Sequence, residues 1–107
     1  NEGGGPNHVE NFCFAPIHGD TQTDALILTP TYYYIGHFSK FVKPGARRVS
    51  TAASRSTLES TTFENPSGER VTVVMNRTDA PMDYALIVGD KEVNASILPH
   101  AMQTLVY

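Results

Sequence analysis

The sequence predicts a mainly β chain, an antiparallel β-sandwich carrying one amphipathic helix. Three observations lead there. Short runs rich in Val, Thr, Ile and Tyr recur after residue 46, separated by turn residues at the regular spacing of an all-β sandwich. A single stretch, "PTYYYIGHFSKFV", has helical rather than alternating spacing. The composition, 40% hydrophobic and 18% charged over 107 residues, suits one small folded domain or a piece of a larger one, and argues against disorder.

Taken in order, residues 1–29 read as a loop followed by a β-hairpin. "GGGP" is a flexible loop, and Phe12 to His18 and Ala25 to Thr29 flank the turn-rich "HGDTQTD". Residues 30–43 read as a linking helix. Thr29 is a good N-cap residue and Pro30 suits the first helical position. Tyr34, Ile35, Phe38, Phe41 and Val42 share one face, and Pro44-Gly45 ends the helix. Lys40 and Lys43 near that end suit the negative pole of the helix dipole. Gly36 lies on the opposite face and suggests close approach of a neighbouring backbone.

Residues 44–107 read as the sandwich strands, the whole forming one compact domain. "RRVSTAAS" and "LESTTFEN" come first, and "NPSG" (Asn65 to Gly68) is a strong turn. "RVTVVMN" places Val71, Val73 and Met75 on one face. "MDYALIV" and "KEVNASI" pair around Gly89-Asp90, and "MQTLVY" is a last strand.

Several functions are disfavoured by composition. A net charge of −3 gives no general attraction to nucleic acid or acidic membranes. No apolar run approaches the roughly 20 residues of a membrane span. Cys13 is alone, so no internal disulfide or all-cysteine zinc site forms, and its apolar surroundings suggest a buried filler. His8, His18 and His100 lack ligand-like spacing, so neither a metal nor another cofactor is expected. The start of the chain lacks a signal peptide's features and an initiator Met, and reads like the middle of something longer.

No catalytic constellation is legible. His37 sits at the edge of the helix stripe with no nucleophile or orienting carboxylate nearby in sequence, and is expected to be structural. The carboxylates fall mostly in turns and on exposed faces. Lys40, Lys43, Arg47 and Arg48 form a small basic cluster of the kind found at a solvated helix end. "NRT" at Asn76 and "NAS" at Asn94 fit the N-glycosylation pattern, which matters only in a eukaryotic secretory pathway.

The residues themselves lead to a β-rich domain with one helix. The strings "GGGPNHVENF", "API" and "YYYIGHFSKFVKPGARRV", in that order, resemble the C-terminal part of glycoside hydrolase family 30, the glucosylceramidase group. "GHFSKF" followed by a Pro-Gly turn and a basic residue before a strand is the most specific of them. The resemblance covers nearly the whole chain. It implies a parent with a (β/α)8 barrel packed against a β-sandwich, cleaving β-glucosides or glucans with retention by two glutamates upstream of the part resembled here. It therefore implies no catalytic residue in this chain, a structural role against the barrel, and a secreted, periplasmic or lysosomal hydrolase of carbohydrate metabolism. The helix would be the last of the barrel layer, and "KPGARRV" the step into the sandwich.

By the same resemblance, Asn11 and Phe12 match an Asn-Phe pair at the mouth of the sugar pocket. An amide can hydrogen-bond sugar hydroxyls and an aromatic ring can cover an apolar sugar face. Asn11 capping a turn is the competing reading. His8 departs from the family's usual tryptophan, which puts the packing of this loop in question. Family sandwiches also use strands from the far N-terminus, so the isolated chain would expose an unpaired edge and a helix face, surfaces through which it could dimerise. A free-standing carbohydrate-binding module is the alternative. It would need an exposed aromatic row, and the strands after the helix offer only Phe63, Tyr84 and Tyr107, widely separated.

Overall fold

The computed structural model describes His8 and residues 13–107. The chain divides into two compact units, Asn1–Gly36 and His37–Tyr107.

In the first unit, β1 (Ile17–Asp20) and β2 (Ala25–Leu28) form an antiparallel hairpin, with Ile17 opposite Leu28 and Asp20 opposite Ala25. Asp20 builds the turn. One carboxylate oxygen accepts from the Gln22 and Thr23 amides at 2.9 and 3.3 Å, and the other accepts from the Thr23 hydroxyl at 2.6 Å. These bonds, the hydroxyl's foremost, hold the Asp20 carboxyl below its ordinary value. Asp24 closes the turn at φ 57°, a left-handed conformation that Asp tolerates better than most residues.

The helix α1 runs from Pro30 to Ser39. Pro30 opens it as the sequence predicts, but Thr29 does not cap it with its side chain. The Thr29 amide and hydroxyl both donate to the Pro16 carbonyl at 3.0 Å, tying the helix start back to the hairpin. The helix also ends earlier than residue 43. The Phe38 carbonyl receives the Val42 amide at 2.8 Å, and Asn65 then takes over: its Oδ1 accepts from the Lys43 amide at 2.9 Å and its Nδ2 donates to the Phe41 carbonyl at 3.0 Å. A side chain from a distant turn thus occupies groups that further helix would have used. Gly45, at φ 85°, makes the turn into the strands. The expected apolar stripe is divided. Phe38, Phe41 and Val42 are half-buried, whereas Tyr34 and Ile35 are exposed.

The second unit holds the sandwich strands: β3 (Arg47–Val49), β4 (Leu58–Glu64), β5 (Arg70–Asn76), β6 (Met82–Val88), β7 (Lys91–Ile97) and β8 (Ala101–Val106). All pairings are antiparallel. Four strands form a sheet in the order β3-β4-β5-β8, and β6 and β7 form a separate hairpin. β5 is an inner strand of the four-stranded sheet, and Val71, Thr72, Val73, Val74 and Asn76 are buried along it. Burial of successive residues means burial on both faces, since side chains alternate. One face carries Val71 and Val73, in register with Phe63 on β4 and Thr104 on β8. The other carries Thr72 and Val74, in register with Thr62 and Gln103. The hairpin β6–β7 lies over this second face, where the Tyr84 hydroxyl donates to Gln103 Oε1 at 2.9 Å. This gives the antiparallel sandwich.

Two turns follow their sequence signals. Asn65 accepts the Gly68 amide on its carbonyl at 2.9 Å, with Gly68 at φ 87°. Val88 faces Lys91 across Gly89-Asp90, and Gly89 at φ 63° supplies the positive φ at the first central position of a II′ turn.

Candidate functional site

The two positions that the resemblance assigns to the sugar pocket, Asn11 and Phe12, lie outside the described residues. His8 is exposed in a turn. Cys13 is exposed rather than buried, and β1 begins only at Ile17, so this cysteine lacks the apolar strand that its neighbours in sequence suggested. His18 packs edge-on against Phe14 with ring centroids 4.6 Å apart, and its Nε2 is buried without a hydrogen-bond partner among the described residues.

The most fully built polar arrangement lies in the second unit, where the last turn of α1 meets the sheet. His37 Nδ1 lies 2.8 Å from Thr104 Oγ1 on β8. Phe38 meets Phe63 of β4 edge-to-face, with centroids 6.3 Å apart, a favoured geometry for aromatic pairs. Asn65, buried, grips the chain just beyond the helix through Phe41 and Lys43, and its Nδ2 also donates to Glu69 Oε2 at 3.1 Å. The sequence flagged His37 and Phe38. It did not flag Asn65 or Thr104, although an Asn opening a Pro-Ser-Gly turn is a residue type that commonly turns its side chain onto nearby backbone. Chemically this is a joint. His37 is hydrogen-bonded to a threonine hydroxyl and, among the described residues, to no carboxylate of the kind that orients a general base.

Between the four-stranded sheet and β6 runs a cavity of about 620 Å³, bordered by Thr62, Thr72, Val74, Tyr84, Leu86 and Tyr107. Its floor is a hydroxyl chain: Thr62 Oγ1 to Thr72 Oγ1 at 2.8 Å, and Thr72 Oγ1 to Tyr107 Oη at 2.9 Å. These hydroxyls satisfy one another, as buried polar groups must. Desolvation in this layer pushes the Tyr84 hydroxyl above its ordinary value.

The charged groups behave as surface. Arg70 meets Glu64 at 3.1 Å and Arg77 meets Glu59 at 2.7 Å, both partly or largely exposed. The Glu59 hydrogen bond raises the Arg77 guanidinium further. Lys43 Nζ donates to the Lys40 carbonyl at 2.9 Å, and Arg47 and Arg48 are exposed, so the basic cluster is a solvated helix end. Among the described residues no group of three or more His, Cys, Asp or Glu is placed to hold a metal ion. No helix among them is long and apolar enough to cross a membrane.

A family model described as the glycosyl hydrolase family 30 beta sandwich domain matches residues 45–105, and one described as that family's TIM-barrel domain matches residues 1–42. The lysosomal acid glucosylceramidase of Mus musculus is 43% identical over 94 residues, covering 87% of this chain and 18% of that protein. Putative glucosylceramidase 1 of Caenorhabditis elegans is 32% identical over 111 residues, covering 97% and 21%. Among solved structures, SrfJ from Salmonella typhimurium superposes with a TM-score of 0.91 at 42% identity, covering 97% of this chain and 23% of that one. The endo-beta1,6-glucanase BT3312 gives a TM-score of 0.75 at 26% identity, covering 94% and 23%. The chain thus spans about a fifth of the length of the curated relatives it matches.

Proposed function

Since this chain belongs to glycosyl hydrolase family 30, spanning the end of the barrel and the β-sandwich of a glucosylceramidase-like protein, we propose that its role is to anchor the sandwich to a catalytic barrel. The whole protein would be a retaining hydrolase of β-glucosidic bonds. The observation that carries this is continuity: barrel-type sequence to residue 42 and sandwich-type sequence from residue 45 stand on one chain. The joint of His37, Phe38 and Asn65 with the sheet fits such a seating.

Retention requires two carboxyl groups about 5–5.5 Å apart flanking the scissile bond, one as nucleophile and one as acid and then base. In this reading both are glutamates of the upstream barrel. Asn11 and Phe12 would line the mouth of the sugar pocket, the amide bonding sugar hydroxyls and the ring covering an apolar sugar face. The names of the relatives direct attention to two substrates, glucosylceramide and β-1,6-glucan, and to a lysosomal setting.

The test compares this chain alone with a protein carrying a family 30 barrel joined to it at residue 1. Both are assayed on glucosylceramide and on β-1,6-linked glucan. The joined protein should turn over one of them with retention, and Asn11→Ala should lower its kcat/KM. The chain alone should give none. Turnover by the chain alone, abolished by changing one of its own carboxylates, would defeat the reading.

A further inference from the structure

The two Asn-X-Ser/Thr triplets occupy opposite environments. Asn76 ends β5 with 0% of its surface exposed. Its Nδ2, the atom that would carry a sugar, donates to the Ala80 carbonyl at 2.8 Å and the Leu98 carbonyl at 3.0 Å. Its Oδ1 accepts from the Thr78 amide at 2.9 Å and the Thr78 hydroxyl at 2.8 Å. A sugar on that nitrogen would replace one of its two hydrogens, and with it one of these donor bonds, and would need space that a buried site lacks.

Asn94 is the reverse. It lies on β7 opposite Ala85, on the outer face of the hairpin, and both are exposed. Asp83 and Ser96, in register with each other and next along that face, are exposed as well. Residues 83–85 and 94–96 border a shallow open depression there. The Asn94 amide has no hydrogen-bond partner among the described residues. Ile87, on the same face and paired with Glu92, is 67% exposed.

We propose that Asn94 is an N-glycosylation site of this protein, and Asn76 is not, when the chain enters a eukaryotic secretory pathway. The donor class is an oligosaccharide linked to a lipid through diphosphate. Asn94 Nδ2 forms a bond to sugar C1 as the bond from C1 to the diphosphate oxygen breaks. The amide loses one proton, and the lipid diphosphate leaves. The Ser96 hydroxyl completes the acceptor triplet. This inference stands independently of the proposed hydrolase role.

The test is translation of the full chain behind an added cleavable signal sequence into eukaryotic microsomes, followed by glycopeptide mapping of the lumenal product. One glycan is expected, at Asn94, and Asn94→Gln and Ser96→Ala should each remove it and restore the mobility of the bare chain. Both substitutions are on an exposed face; occupancy of Asn94 is read on all lumenal chains, and that of Asn76 on the protease-resistant, folded ones. A bare Asn94 overturns the site, and a glycan found at Asn76 overturns the selectivity.

Discussion

His37 Nδ1 sits 2.8 Å from the hydroxyl of Thr104, joining the last turn of the helix to β8 across 67 positions of sequence. Both are half-buried, so the bond is partly shielded from water. Thr104→Val keeps the shape and removes the hydroxyl. It should lower stability by about 0.5–1.5 kcal/mol, the usual net worth of such a bond. A denaturant midpoint equal to that of the parent chain would show that the bond holds nothing in solution.

Asn65 should matter more. Its buried amide satisfies the Lys43 amide and the Phe41 carbonyl, and Asn65→Ala leaves both short of a partner. Each orphaned group costs about 1–3 kcal/mol when it stays out of water. The variant should lose roughly 2–6 kcal/mol in chemical denaturation on that scale. Amide exchange at Lys43 should also accelerate. An unchanged exchange rate there would remove Asn65 as the anchor.

At Gly36 the structure reverses the sequence-based expectation. A Cβ built on it meets nothing within 4 Å among the described residues, so no backbone among them requires glycine there. Gly36→Ala should raise stability by up to about 1 kcal/mol, through alanine's better helix propensity. A lowered thermal midpoint would restore the close-approach reading.

Tyr84 gives a pH test. Burial raises its hydroxyl above the ordinary 10.0. Above pH 10 the unfolded chain therefore loses this proton before the folded chain does. The tyrosine's contribution is complete below pH 10 and declines as pH rises through the folded value. Near neutrality Tyr84→Phe should cost about 0.5–1.5 kcal/mol for the bond to Gln103. Above pH 10 the gap between parent and variant should narrow. Paired urea titrations at the two pH values decide it, and a widening gap would contradict the assignment.

Local signals in the sequence were sufficient where local chemistry sets the structure. Gly89-Asp90 dictates its own turn, and Asn65 to Gly68 does likewise, so the strands on either side fell into place. Pro30 marked the helix start because its ring forbids most alternatives. The helix end was not legible, since Asn65, more than twenty positions onward, determines it. The same limit applies to Thr29, whose hydroxyl turns back to Pro16. Cys13 was misjudged because apolar neighbours in sequence are not necessarily neighbours in a core. For the site, the sequence placed His37 at the edge of the helix stripe, but its partner Thr104 sits on the last strand and carries no signal of its own.

The insertion of β6 and β7 between β5 and β8 has a consequence for the order of folding. β5 must find β8 across the connection from Arg77 to His100, and ordering a long loose loop is entropically unfavourable. The hairpin, closed by a two-residue turn, needs no distant contact and can form in about 1–10 μs. Once it has formed, most of that connection is already compact. The search of β8 for its place beside β5 is then short-range in effect, although their pairing remains distant in sequence.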